Sequence, residues 1–130
     1  MIHALLLLAA AAAPSTEENC GDLPQQPMNQ CLYRAFQRTD AELNRQWRIT
    51  SEEMKARDRG IDRSYDKDAG YFDTLLASQR AWLTFREKQC LLESFEMRGG
   101  SGAPMMHSLC MARVTRERIQ QLKSLTETDN

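Results

Sequence analysis

The chain has 130 residues, with 17 Lys and Arg against 18 Asp and Glu, and a net charge of -1 with histidine neutral. The length suits one domain, and 42% hydrophobic residues are enough for a packed core, which excludes wholesale disorder. A mean hydropathy of -0.59 excludes a multi-pass membrane protein, and the near-neutral charge argues against nucleic-acid binding through a basic surface.

The first predicted element is an apolar segment at residues 1–13, where a run of leucines is followed by alanines. The run is too short to cross a bilayer as a helix, which takes about 20 residues. It is typical of a secretory signal peptide cleaved near Ala12 or Ala13, with a buried apolar helix start as the alternative. No cysteine follows directly, so we expect a periplasmic or secreted protein without a membrane anchor.

Export determines how the four cysteines are interpreted. Oxidising compartments favour disulfides, so Cys20, Cys31, Cys90 and Cys110 are expected to form two pairs. Zinc is the competing interpretation, but no C-x-x-C pair exists, and His107 makes only an isolated H-x-x-C. We therefore expect no metal and no cofactor.

Three amphipathic helices are predicted after a polar arm at residues 14–27, in which prolines break regular structure. In the first, apolar residues recur at steps of three and four from Met28 to Met54. A charged turn at residues 58–70 leads to a second helix, which begins near Gly70 and continues to Met97. The aspartates of this turn match no register of the EF-hand loop, so a solvated turn is predicted rather than a calcium site.

A glycine-rich connector at residues 98–104 ends the second helix, since glycine permits positive φ there. Pro104 suits the first turn of a third helix, which carries apolar residues up to Leu125 and precedes a tail at residues 126–130. No window alternates convincingly at period two. The predicted fold class is therefore all-α: a three-helix antiparallel bundle over residues 28–125, held by two disulfides.

Folding these helices about the two turns gathers the four cysteines at one end of the bundle. Four cysteines allow three pairings. We favour Cys90–Cys110, which joins the second helix to the third, and Cys20–Cys31, which ties down the arm. Pairing Cys31 with Cys110 and Cys20 with Cys90 remains an open alternative. Each disulfide is expected to stabilise the small domain by about 2–4 kcal/mol.

Several short motifs lie along the helices in a characteristic order. They are Met28-Asn29-Gln30-Cys31, Ala41-Glu42-Leu43-Asn44 followed by Trp47, Gln79-Arg80-Ala81-Trp82-Leu83-Thr84-Phe85-Arg86 with Cys90, Gly99-Gly100-Ser101, Cys110, and Thr115-Arg116-Glu117-Arg118. The series resembles the family of small exported bacterial proteins named for the lysozyme inhibitor LprI, over about residues 20–125. Trp47 stands where the family usually has Tyr, and the lipoprotein cysteine of the founding member is missing. The resemblance implies a helical, disulfide-bonded domain and, for the founding member, inhibition of lysozyme.

One set of candidate residues is polar and lies mostly on apolar helix faces. Its members are Asp40, Asn44, Gln79, Arg86 and Arg118. When the first two helices are folded antiparallel about their turn, Arg86 lies at the same height along the bundle as the helical turn that contains Asp40. An ion pair between them would compensate a guanidinium that is costly to bury alone. The favoured interpretation is a structural network that fixes helix register. The alternative is an opening that receives a ligand or a partner group.

A second candidate is the connector, whose residues Arg98, Gly99, Gly100, Ser101 and Gly102 could enter the cleft of a glycosidase. The favoured interpretation of the connector is nevertheless a plain linker. An enzyme is not expected, because the chain has no nucleophile elbow, phosphate loop or metal motif. The sequence thus predicts an exported protein that binds a protein partner, through the resemblance a lysozyme, and occludes its cleft. The alternative is a non-inhibitory structural or interaction module of the bacterial envelope.

Overall fold

A computed structural model describes residues 19–127, so the predicted signal peptide, residues 14–18 of the arm and residues 128–130 of the tail lie outside the described residues. Helix α1 spans Gln25–Arg59, α2 spans Tyr71–Ser94 and α3 spans Ala103–Ser124, with short 3-10 turns at Cys20–Asp22 and Phe95–Met97. The described range contains no strand, and the predicted all-α bundle is confirmed. None of these helices is both long and apolar enough to cross a membrane.

Helix α1 begins at Gln25 rather than at Met28, the start expected from the sequence. Pro27 lies in its first turn, where backbone N–H groups have no intrahelical acceptor and proline is tolerated. The amide of Met28 already donates to the Pro24 carbonyl at 2.8 Å. A proline that looked like a helix breaker is therefore part of the helix start.

The charged turn fixes how α2 leaves α1. The Asp58 carboxylate, near the end of α1, accepts the backbone N–H groups of Tyr71 at 2.6 Å and Phe72 at 3.0 Å. An acid at this position satisfies donors that the helix start leaves open and complements the helix dipole. A Cβ at Gly70 would lie 2.7 Å from Asp58 Oδ1, so a larger residue there would displace this carboxylate. One side chain thus joins the two helices across the turn.

The core consists of two clusters that share Trp82. The first contains Leu43, Met54, Leu75, Ile119 and Leu122, and the second contains Cys90, Cys110, Met111 and Val114. Trp82 is partly buried and packs against both. Because each cluster takes residues from α2 and α3, and the first also from α1, burial of apolar surface holds all three helices together.

Both favoured disulfides are confirmed. Cys20 pairs with Cys31, and Cys90 pairs with Cys110, with Cα–Cα distances of 5.7 and 5.3 Å. The pairing of Cys31 with Cys110 and Cys20 with Cys90 is thereby excluded. The second disulfide lies inside the core, since Cys90 is 0% and Cys110 is 2% exposed.

An ion pair links α2 to α3 on the surface. Arg113 Nη2 donates to both carboxylate oxygens of Glu93, at 2.7 and 2.8 Å. Hydrogen bonds from Gln89 and Arg113 hold the pKa of Glu93 below its usual value of 4.5. Because this pKa is lower in the folded than in the unfolded chain, the contacts of Glu93 stabilise the fold fully at pH values above the pKa of the unfolded chain. This stabilisation is lost as the pH falls through the pKa of the folded chain.

We expect Glu93→Gln to lower the free energy of unfolding by about 0.5 kcal/mol at neutral pH, because the pair is exposed and screened by water. In acid, where Glu93 is protonated in both states, the variant and the wild type should be equally stable. Urea unfolding at a series of pH values measures this, with Glu96→Gln as a control for loss of a neighbouring acid. A difference that persists unchanged in acid would contradict the assignment.

Candidate functional site

The connector between α2 and α3 is a defined turn. Gly99 has a φ of +78°, which glycine adopts without strain. The amide of Gly100 donates to the Met97 carbonyl at 2.9 Å, and that of Ala103 donates to the Gly100 carbonyl at 3.3 Å. The backbone at the tip therefore has its own hydrogen bonds.

The start of α1 anchors this turn. Asn29 Nδ2 donates to the Ser101 carbonyl at 2.8 Å, and Gln25 Nε2 donates to Asn29 Oδ1 at 2.8 Å. Gly102 is buried, and the Met97 side chain occupies the space that a Cβ at this position would need. These contacts fix the connector to the start of α1, at the end of the bundle where both disulfides lie.

Exposed apolar side chains border the connector. Leu92 is 61% exposed, and Leu91, Phe95 and Met97 are also exposed. The Arg98 guanidinium lies over the Phe95 ring, 4.5 Å from its centroid. We call the surface formed by residues 91, 92, 95 and 97–101 the loop-end surface. It combines exposed apolar area with a single guanidinium at its tip, and aromatic residues, Met and Arg are enriched at protein interfaces.

The structure brings Asp40 and Arg86 together, as helix levels suggested. Arg86 Nη1 lies 2.7 Å from Asp40 Oδ1 and 3.0 Å from Thr115 Oγ1, so the contact joins all three helices. The rings of Phe36 and Trp82 lie 5.4 and 4.9 Å from the guanidinium carbon. Arg86 is only 7% exposed, so its charge is compensated by a carboxylate, a hydroxyl and two aromatic rings.

Arg118 forms the second part of the polar network. Its Nε donates to Gln79 Oε1 at 2.9 Å, and its Nη2 donates to Ser78 Oγ at 3.0 Å. Its guanidinium also lies 5.9 Å from the Trp82 ring. Burial lowers the pKa of Arg118 below its usual value, since desolvation disfavours the charged form.

Asn44 does not join these contacts. It is exposed, and within residues 19–127 it makes no hydrogen bond with Arg86 or Arg118. Two partners, Thr115 and Ser78, were missed by the sequence analysis. The spacing held a signal for one of them, because Thr115 lies three residues before Arg118 and so shares its face of α3.

In the part of the chain that the structure describes, no three His, Cys, Asp or Glu side chains form a group that could hold a metal ion. The aspartates of the charged turn instead accept local hydrogen bonds. Asp62 accepts from the Ser64 backbone at 2.9 Å and Asp66 from the Asp68 backbone at 2.9 Å. The Ser64 hydroxyl also donates to the Asp62 carboxylate, and this hydrogen bond is the main reason why the pKa of Asp62 lies below its usual value.

Two comparisons with known proteins gave matches. A family model described as "Lysozyme inhibitor LprI" matches residues 17–122, which include both disulfides, the polar network and the loop-end surface. An uncharacterized protein of Rhizobium meliloti (strain 1021) is 39% identical over 133 aligned residues, covering 96% of this chain and 94% of the relative. No solved structure matches.

Proposed function

This chain belongs to the LprI family of lysozyme inhibitors, and on that basis we propose that it is an exported protein that binds a lysozyme and occludes its cleft. The described residues carry no cluster of metal ligands, and the proposed action needs no chemistry. Binding alone prevents substrate from reaching the catalytic groups of the partner. The two disulfides support export, because they persist in oxidising compartments.

We propose the loop-end surface as the part that enters the cleft. The observation that carries this assignment is Arg98, which stacks on Phe95 at the tip of an anchored turn. Glycosidase clefts hold a pair of carboxylates, and a guanidinium is the side chain best suited to meet them. A turn already held by hydrogen bonds loses less conformational entropy on binding than a free loop.

Arg98→Ala tests this assignment in a lytic assay. We expect the wild-type protein to inhibit at least one lysozyme type, and the variant to inhibit it about tenfold or more weakly, as for a central arginine anchor. Arg59→Ala is the matched control, because it removes an equal charge from an exposed arginine at the far end of α1. The control should inhibit as well as the wild type.

Two other outcomes would contradict the proposal at different levels. If the wild type fails to inhibit several lysozyme types at micromolar concentration and forms no complex on gel filtration, the inhibitor function is wrong. The chain would then be a non-inhibitory module of the envelope. If the wild type inhibits and Arg98→Ala inhibits equally well, another surface makes the contact.

A further inference from the structure

A groove of about 320 Å³ lies between α1 and α2, on residues that the loop-end surface does not use. This volume is at the lower end of the range for small-molecule sites. Leu43 and Trp47 on α1 and Leu76 on α2 form an apolar wall. The groove is also lined by three polar side chains, those of Gln79, Arg80 and Arg86.

Arg86, which lines this groove, has one buried donor that the protein does not satisfy. Nη1 donates to Asp40 and Thr115, and two aromatic rings cover the faces of the guanidinium. The in-plane Nε–H is buried and has no acceptor among residues 19–127. Buried donors without acceptors are rare and costly, so this one calls for an explanation. Nε and Nη2 form the edge with which arginine binds a carboxylate through two parallel hydrogen bonds.

Gln79 adds a second open donor. A guanidinium can only donate, so the oxygen of the Gln79 amide must be the atom that accepts from Arg118 Nε. The amide nitrogen then points away from Arg118, and it has no acceptor in the described part of the chain. Arg118 therefore orients Gln79 as a donor.

The charges of the groove favour an anion. Arg86 is matched by Asp40, the one acidic residue of the lining, and the exposed Arg80 adds a positive charge at the rim. Trp47 offers an aromatic ring beside these donors. Donors, one excess positive charge and an apolar wall together suit a small acid rather than a neutral or basic molecule.

We propose that this groove binds a small carboxylate whose ring or apolar body lies against Trp47. The carboxylate accepts from the Nε edge of Arg86 and from the Gln79 amide. Because Arg86 Nε is shielded in the unliganded protein, binding requires side chains that line the groove to shift. The proposal does not rest on lysozyme inhibition.

Nitrogen-15 NMR of the disulfide-bonded protein reads out the two donors directly, through the Nε–H signal of Arg86 and the side-chain amide of Gln79. The probes are two acids, each with a neutral counterpart. N-acetylmuramic acid is compared with N-acetylglucosamine, which lacks the lactyl carboxylate, and phenylacetate is compared with phenylacetamide. We expect at least one acid to shift both signals in a saturable way, and the neutral counterparts to leave them unchanged. The acid that binds identifies a sugar acid or an aromatic acid as the source.

Three variants confine the effect to the groove. Gln79→Glu still accepts from Arg118 but places a negative charge beside the ligand, so we expect binding to weaken by at least about tenfold. Arg80→Gln should weaken binding about threefold through loss of an exposed charge. Arg116→Gln, which removes the same charge from α3 outside this groove, should have no effect.

The proposal is overturned if neither acid shifts the two signals at about 10 mM, a concentration that would nearly saturate a site with a Kd of about 1 mM. It is also overturned if each acid and its neutral counterpart shift them equally, because the carboxylate would then contribute nothing. Equal losses from Arg80→Gln and Arg116→Gln would show general charge attraction in place of a site. Circular dichroism of Gln79→Glu verifies that the variant is folded.

Discussion

Arg86→Ala is expected to lower the free energy of unfolding by about 2–4 kcal/mol, because a large buried side chain is lost while its ion-pair partner Asp40 stays partly exposed to water. The substitution leaves Asp40 without its cation and removes the donor to Thr115, which is 0% exposed. It also empties the space between Phe36 and Trp82. Urea unfolding of the disulfide-bonded protein, followed by circular dichroism, measures the loss.

Two further substitutions separate charge from volume. Arg86→Met fills much of the space between the two rings, so we expect a smaller loss than for alanine, about 1–2 kcal/mol. Arg80→Ala removes an exposed arginine from the same helix and should change stability by no more than about 0.5 kcal/mol. If Arg86→Ala unfolds at the wild-type urea concentration, the network does not stabilise the fold.

Helix number, helix order and the gathering of the cysteines could be predicted because they depend on local spacing. Apolar steps of three and four locate each helix, and the lengths of two antiparallel helices determine which residues face each other across a turn. The same levels predicted that Arg86 faces Asp40, and the two side chains are in contact. The same antiparallel alignment of the helices favoured the two disulfides that the structure contains. It left one other pairing of the four cysteines open, and the structure excludes it.

Contacts that depend on side-chain orientation could not be predicted. The Asp58 carboxylate caps α2 from the end of α1, across the charged turn, and no local capping pattern marks it. Pro27 was ambiguous in the sequence, because proline breaks a helix when it lies in the helix interior but is accepted in the first turn. The sequence also cannot show that Arg86 Nε lacks an acceptor, because that requires knowing where each guanidinium nitrogen points.

Replacing both cysteines of the core disulfide, Cys90→Ala with Cys110→Ala, should lower the free energy of unfolding by about 4–5 kcal/mol. Loop closure over a sequence separation of 20 accounts for about 3 kcal/mol of this. The remainder comes from the cavity that two missing sulfurs leave beside Met111 and Val114. A thermal melt of the variant should be about 15–25 °C below that of the wild type.

The matched control is Cys20→Ala with Cys31→Ala, whose sulfurs are also buried but belong to neither of the two core clusters. Its separation of 11 gives nearly the same loop-closure contribution, about 3 kcal/mol. This disulfide ties only a 3-10 turn to the start of α1, whereas Cys90–Cys110 joins two long helices inside the core. We therefore expect the core variant to lose more. Equal melting temperatures for the two double variants would mean that the place of Cys90 and Cys110 in the core cluster adds no packing energy beyond that of the other buried disulfide.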